Sequence, residues 1–297
     1  MLDRNAALLL ALAAIFGSSF LFMRVAAPEA GPGLVAEGRV AIAAAVLAVL
    51  VDGHALRYCV ANWRGFLVLG FFNVAVPFGL ISYAEVTITA SLGSLLNATV
   101  PMFAAIVAAV WLRQRLTAKR GAAIAIGFAG VFVVVGWSPI ELTTGSLLAV
   151  AAMLGATSGY AIGLTYARRR FHGVAPMTQA VGQLAAATVI LAPLAAATMP
   201  ASGVSLNAIG SIMALAILCT AVAWPLLFRL LARVGPTATA TVTFLVPIFG
   251  IAWGAIFLGE SIGPGLLAGS VLIAVSLALI FDARLPAFAR VRPIAEG

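Results

Sequence analysis

Apolar runs of about 20 residues, the length that crosses a bilayer core, recur along the chain, separated by short polar or charged stretches. They fall at 6–26, 34–52, 64–83, 90–112, 120–136, 145–166, 177–197, 207–228, 237–258 and 264–281. Each run is continuous and rich in Ala, Leu and Gly, without the alternation of short segments that a membrane β-barrel needs. The pattern therefore predicts ten transmembrane helices. The first run follows Arg4 and could be misread as a cleaved leader. It continues past Phe16 to Ala27, and it is read here as the first helix.

One design is written twice. Residues 94–116 read SLLNATVPMFAAIVAAVWLRQRL and residues 240–262 read ATVTFLVPIFGIAWGAIFLGESI. Both place a polar patch before a proline and follow it with an apolar run and a short turn. An offset of 146 residues aligns 91–130 with 237–276 without a gap. It pairs Val100 with Val246, Pro101 with Pro247, Phe103 with Phe249, Ala109 with Ala255, Leu112 with Leu258 and Ala122 with Ala268. Five spans per half is an odd number, so the second half enters the membrane upside down relative to the first. The halves are read as 1–140 and 141–285, with a tail at 286–297. Inverted repeats around a midplane site are a recurring transporter plan, because two related halves in opposite orientation give two conformations of similar energy.

Composition agrees with lipid as the solvent. Of 297 residues, 63% are hydrophobic and 9% charged, where a soluble domain carries about 25% charged residues. The net charge of +8 would suit nucleic acid if the charges formed one patch, but they are sorted by side. With the N-terminus inside, all but two of the 17 basic residues fall on the cytoplasmic side: Arg4, Arg57, Arg64, Arg113, Arg115, Lys119, Arg120, Arg168, Arg169, Arg170, Arg229, Arg233, Arg284, Arg290 and Arg292. Arg24 and Arg39 face the other side, with Glu29, Glu37, Glu85, Glu141 and Glu260. This is the positive-inside distribution; it calls for a lipid bilayer as partner and no nucleic acid. Cys59 in a loop and Cys219 in the eighth span are expected at different depths, too far apart for a disulfide. No spacing suits a metal or a cofactor. Oligomeric state is not encoded in the pattern.

The chain resembles the EamA-type branch of the drug/metabolite transporter superfamily. The resemblance rests on Phe16-Gly17-Ser18-Ser19-Phe20 in the first helix, Arg39 in GLVAEGRVAIAA, Pro101 and Pro247, and the turn Leu258-Gly259-Glu260. The first repeat departs from it, with Leu112-Arg113-Gln114 where Gly-Glu is common. The resemblance implies ten helices in two five-helix repeats. It also implies movement of small metabolites, often export of amino acids or related compounds, across a bacterial inner membrane. Other members take nucleotide-related compounds, sugars or toxic cations.

Polar groups at membrane depth are costly unless partnered, so they mark the candidate site. Ser19, beside Ser18, is mid-span in the first helix. Asn73 is central in the third span. Ser94 and Asn97, three apart, share a helix face. Thr241 and Thr243 align with Leu95 and Asn97 in the other repeat. Tyr160 and Trp224 are read as cavity walls, while Trp63, Trp111 and Trp137 at span ends are read as interfacial anchors. Pro77, Pro101, Pro225 and Pro247 are expected to kink spans 3, 4, 8 and 9 and to act as hinges. Arg24, Glu29, Glu37 and Arg39 are expected to form a structural clasp, by pairing Arg39 with Glu29 or Arg24 with Glu37. Asp52, Glu85, Glu260 and Asp282 lie near span ends, which leaves no buried carboxylate for ion coupling and points to facilitated transport. An enzyme is disfavoured: His54 and His172 lie in loops far from Ser18 and Ser158, and no His-Glu-x-x-His is present. A scaffolding role leaves the polar, proline-broken repeat without a purpose. The sequence therefore predicts an alternating-access carrier of a small amphipathic solute, and the resemblance favours amino acids over lipophilic cations and nucleosides.

Overall fold

The computed structural model describes residues 4–137, 143–201 and 203–281. Glu141, Asp282, Arg284, Arg290, Arg292 and the tail at 286–297 lie outside the described residues. All regular structure among the described residues is helical.

The first two spans are α1 (Arg4–Ala30) and α2 (Pro32–Val49). They meet at Gly31, whose φ of 79° is one that only glycine adopts without strain. Where the pattern reads a loop, a short helix α3 (Gly53–Ala61) forms and carries Cys59. Asp52 caps it by accepting from the Ala55 amide at 2.8 Å. The third span is α4 (Trp63–Gly70), a π-helical turn (Phe71–Ala75) and α5 (Val76–Ala84). The fourth is α6 (Ala90–Asn97) and α7 (Val100–Trp111), and the fifth is α8 (Ala118–Gly136).

The second half repeats this order. Spans six and seven are α9 (Thr144–Arg170) and α10 (Pro176–Ala197). The eighth is α11 (Leu206–Ala216), a π-helical turn (Ile217–Val222) and α12 (Ala223–Thr239), which breaks at Gly235 with φ 78°. Spans nine and ten are α13 (Thr241–Leu258) and α14 (Pro264–Ile280). Nine of the ten spans are helices long and apolar enough to cross a membrane, and α14 is the shorter tenth.

The offset of the sequence repeat reappears in the backbone. The two π-helical turns start at Phe71 and Ile217. Arg113 (φ 52°) and Gly259 (φ 65°) hold the same left-handed conformation, although it is costly for a residue with a Cβ. The Gln114 amide donates to Ala108 O at 3.4 Å, as the Glu260 amide does to Gly254 O at 3.1 Å.

Packing obeys the same exchange. Helix α2 lies along α10 and α8 along α14, each helix against its counterpart in the other half. Helix α1 packs on α13 as α9 packs on α6 and α7, and α1 packs on α11 and α12 as α9 packs on α4 and α5. The direction is read from the α8–α14 seam. Ser276 Oγ donates to Ala123 O at 2.6 Å. A Cβ on Gly130 would strike Ile273, one on Gly269 would strike Val134, and one on Gly265 would strike Trp137. Numbers rise on one helix as they fall on the other, so the equivalent helices are antiparallel and the halves inverted. Small residues let such backbones approach where no hydrophobic effect drives them together. Gly17 of the first-helix motif serves α1 and α13 in the same way, its absent Cβ leaving room for Phe249 and Gly250.

Large apolar side chains such as Val110, Phe132, Val189, Ile248, Phe257 and Val271 stand on the outer surface, where lipid is their solvent. Trp63, Trp111 and Trp137 are exposed at span ends, the position of interfacial anchors.

The prolines divide into three cases. Pro77 and Pro225 each follow a π-helical turn, whose wider winding absorbs the missing donor and the clash with the preceding carbonyl. Pro101 begins α7 just after the break at Ala98–Thr99. Pro247 lies inside α13, which runs through it as one helix, while the gap between α12 and α13 falls earlier, at Ala240.

Candidate functional site

A pocket of about 970 Å³ lies between the two halves. It begins near mid-depth, among Ser19, Met23, Ile81 and Ser94, and runs to the arginine-rich end of the bundle, where Arg168, His172 and Gln179 line its mouth. No lining residue belongs to the connections at the opposite end. The pocket is thus open on one side and blind on the other.

Seven of the eight residues expected at the site come together in this wall: Ser19, Asn73, Ser94, Asn97, Tyr160, Trp224 and Thr243. Thr241 does not. Thr239, Ala240, Thr243, Val246 and Pro247 line the pocket, and at 3.6 residues per turn they define one helical face, with Thr241 on the other. Of the four prolines expected as hinges, Pro247 lines the pocket and Pro77, Pro101 and Pro225 do not.

Hydrogen bonding separates the site residues. Ser94 Oγ donates to Ser91 O at 2.9 Å, within its own helix. Asn73 Nδ2 donates to Gln183 Oε1 at 2.7 Å, which leaves its Oδ1 without a partner. Ser19 Oγ, Asn73 Oδ1 and Asn97 Oδ1 are buried and unpartnered. Such groups cost about 1–3 kcal/mol each unless something hydrogen-bonds to them. Asn73 sits in the first π-helical turn, and Gly163 of α9 leaves room for its side chain. Tyr160 meets the Phe78 ring edge-on at 6.4 Å.

Arg39 is placed differently from expectation. It is buried, lines the pocket, and donates from Nε to Thr220 Oγ1 at 3.0 Å. Its guanidinium carbon lies 3.9 Å from the Phe78 ring centre. The expected pairs, Arg39 with Glu29 and Arg24 with Glu37, are not formed. Glu29, at the end of α1, instead accepts from Ser205 N and Oγ and so caps α11. Arg24 donates to Glu85 O and Val86 O, both at 2.7 Å. Arg39 lies about two turns inside α2, too deep to reach either cap. A lone arginine that far into an apolar run was the sequence signal for a pocket group. Gln183 and Arg168 carried no such signal.

The blind end is closed by polar contacts between the halves. Glu260, in the turn after α13, accepts from the Ala90 amide at 2.8 Å, the Ser91 amide at 2.9 Å and Ser91 Oγ at 2.5 Å. Thr89 accepts from the Leu92 amide at 3.2 Å. The free amides that begin α6 are thereby satisfied, and the carboxylate sits at the positive end of the helix dipole.

Beside it lies Glu85, just past the end of α5, which is fully buried with both carboxylate oxygens unpartnered. Sequence reasoning placed Glu85 near a span end and saw no buried carboxylate; the absent side chain of Gly93 makes its room. Burial, with the Glu260 carboxylate second, pushes its pKa well above the ordinary carboxylate value, and Arg24 opposes the shift.

Known proteins resemble this chain in sequence or in fold. The chain is 25% identical over 279 residues to an uncharacterized transporter of Archaeoglobus fulgidus, covering 93% of this chain and 99% of that one. It is 27% identical over 283 residues to the uncharacterized transporter YvbV of Bacillus subtilis, covering 93% and 91%. A probable terminal-alkyne amino-acid exporter of Streptantibioticus cattleyicolor is 27% identical over 269 residues, with 89% of each chain covered. A solved crystal structure with 18% identity superposes with a TM-score of 0.64 over 93% of this chain and 96% of that one, a likeness of fold. The model of the EamA-like transporter family matches twice, at residues 4–136 and 144–282. With both copies in place, inverted around one pocket, the chain belongs to the EamA-like transporter family.

Proposed function

We propose that this transporter exports a small amphipathic solute, an amino acid or a close relative, across the inner membrane of a bacterial cell by alternating access. The observation that carries the reading is the set of buried, unpartnered acceptors in the pocket, Asn73 Oδ1 and Asn97 Oδ1. An ammonium group on the solute would satisfy them. Phe16, Phe20 and Trp224 would hold its apolar body. The similarity to an amino-acid exporter points the same way. The charge distribution orients the chain with its termini and arginine-rich end in the cytoplasm, so the pocket would fill from the cell interior, as export requires.

The test is flux in proteoliposomes of the purified chain, screened with labelled amino acids, nucleosides and lipophilic cations. Amino acids move in this reading; movement of nucleosides or cations alone would replace it. Asn97→Ala lowers the flux of the transported compound roughly tenfold, the scale of one hydrogen bond to a charged group, and leaves the folded yield unchanged. Equal loss of yield and flux would make Asn97 a structural residue.

A further inference from the structure

Arg39 is a charged pocket-lining residue at the blind end whose role neither the fold nor the closing contacts explain. Its charge is permanent, and burying it is costly unless it is paired or hydrogen-bonded. Its neighbours are the Thr220 hydroxyl, the Met23 sulfur at 3.9 Å and the face of Phe78. The ionisable side chains near it are Tyr160 and Cys219, and no carboxylate pairs with it among the described residues. Two of its three nitrogens are engaged, and Nη2 makes no hydrogen bond to the described residues. Planar carboxylates are matched by such a fork. At the other end of the same pocket Arg168 and His172 line the mouth, so Arg168 adds positive charge to the entrance.

We propose that Arg39 holds an anionic group of the transported solute, a carboxylate in the first instance, and that the pocket selects for solutes carrying one. This rests on the carrier reading above and deepens it. The solute enters from the arginine-rich mouth with its anionic group leading. That group docks on Arg39 at the blind end, in contact with Nη2, while the aromatic wall covers the remainder. A pocket built this way rejects compounds that lack the anion, since they would leave the guanidinium buried and unpaired.

The experiment compares acids with their amides in proteoliposomes of the full chain. Labelled leucine, phenylalanine and threonine are measured beside leucinamide, phenylalaninamide and threoninamide, with a nucleoside and tetraphenylphosphonium as further arms. At least one acid moves and its amide moves at least tenfold more slowly. Arg39→Gln lowers the acid's flux at least tenfold, whereas Arg39→Lys, which keeps the charge, retains a measurable part of it. Amides moving as fast as acids would overturn the proposal, and that comparison stands on the native chain even if Arg39→Gln fails to fold. Undiminished acid flux in a folded Arg39→Gln would overturn it too. Flux of only the nucleoside or the cation would overturn the anion anchor and leave the carrier standing. No flux in any arm would remove both.

Discussion

Glu85 illustrates how far a single position is set by its neighbours. Its side chain is held in an interior lined by Gly93, with Arg24 bound to its backbone carbonyl and the Glu260 carboxylate close by. The folded state raises its pKa, so it favours the protonated acid. The sign follows: the closed end is fully stable at low pH, and stability is lost as pH rises from the ordinary carboxylate range through the raised value of Glu85. Melting temperature of the detergent-solubilised protein should fall over that interval, and Glu85→Gln should flatten the curve. An unchanged slope in Glu85→Gln would show that Glu85 does not carry the effect. Such residues test sequence reading most severely. Asn73 and Asn97 were legible because an amide in an apolar run has few innocent places to go. The burial of Glu85 was not, since a glutamate at a span end usually reaches water and only tertiary packing removes it. Arg39 was visible as an oddity, but its pairing was misjudged because Glu29 was engaged elsewhere.

At the scale of elements, the turn after α13 acts on the start of α6 as an external cap. Three hydrogen bonds accepted by one carboxylate hold the two halves together at the blind end. The first half lacks the counterpart: Gln114 replaces the glutamate, and position 236, equivalent to Ala90, is a proline without an N–H. In the proposed alternating-access cycle the two ends would therefore close with different strength, favouring the conformation with the arginine-rich end open. Glu260→Ala should destabilise the closed end by about 1–2 kcal/mol, the scale of a lost N-cap. A cysteine reagent applied from the opposite side should then reach the pocket several-fold faster. An unaltered rate would mean that apolar packing alone seals that end. The turn motif and its one-sided departure were plain in the sequence. The π-helical turns were not, because only the prolines that follow them leave a mark; the break at Ala240 rather than Pro247 left none.

Over the whole molecule, the inverted repeat was legible from span count, the 146-residue offset and the sorting of charge by side. The structure adds the packing that makes the exchange physical, from the antiparallel α8–α14 seam to the matched left-handed turns at Arg113 and Gly259. The pocket's one-sided opening could not be read from sequence, since both conformations of an inverted repeat satisfy the same pattern. That opening is the central claim, and single cysteines test it in a Cys59→Ser background. Leu164 lines the pocket and is accessible, Arg169 lies at the mouth end, and Gly145 lies at the other end. In sealed vesicles of known orientation, a membrane-impermeant maleimide should label cysteines at 164 and 169 from the same side and at 145 from the opposite side. Labelling of position 164 from the side of Gly145, or of all three from one side, would contradict the account.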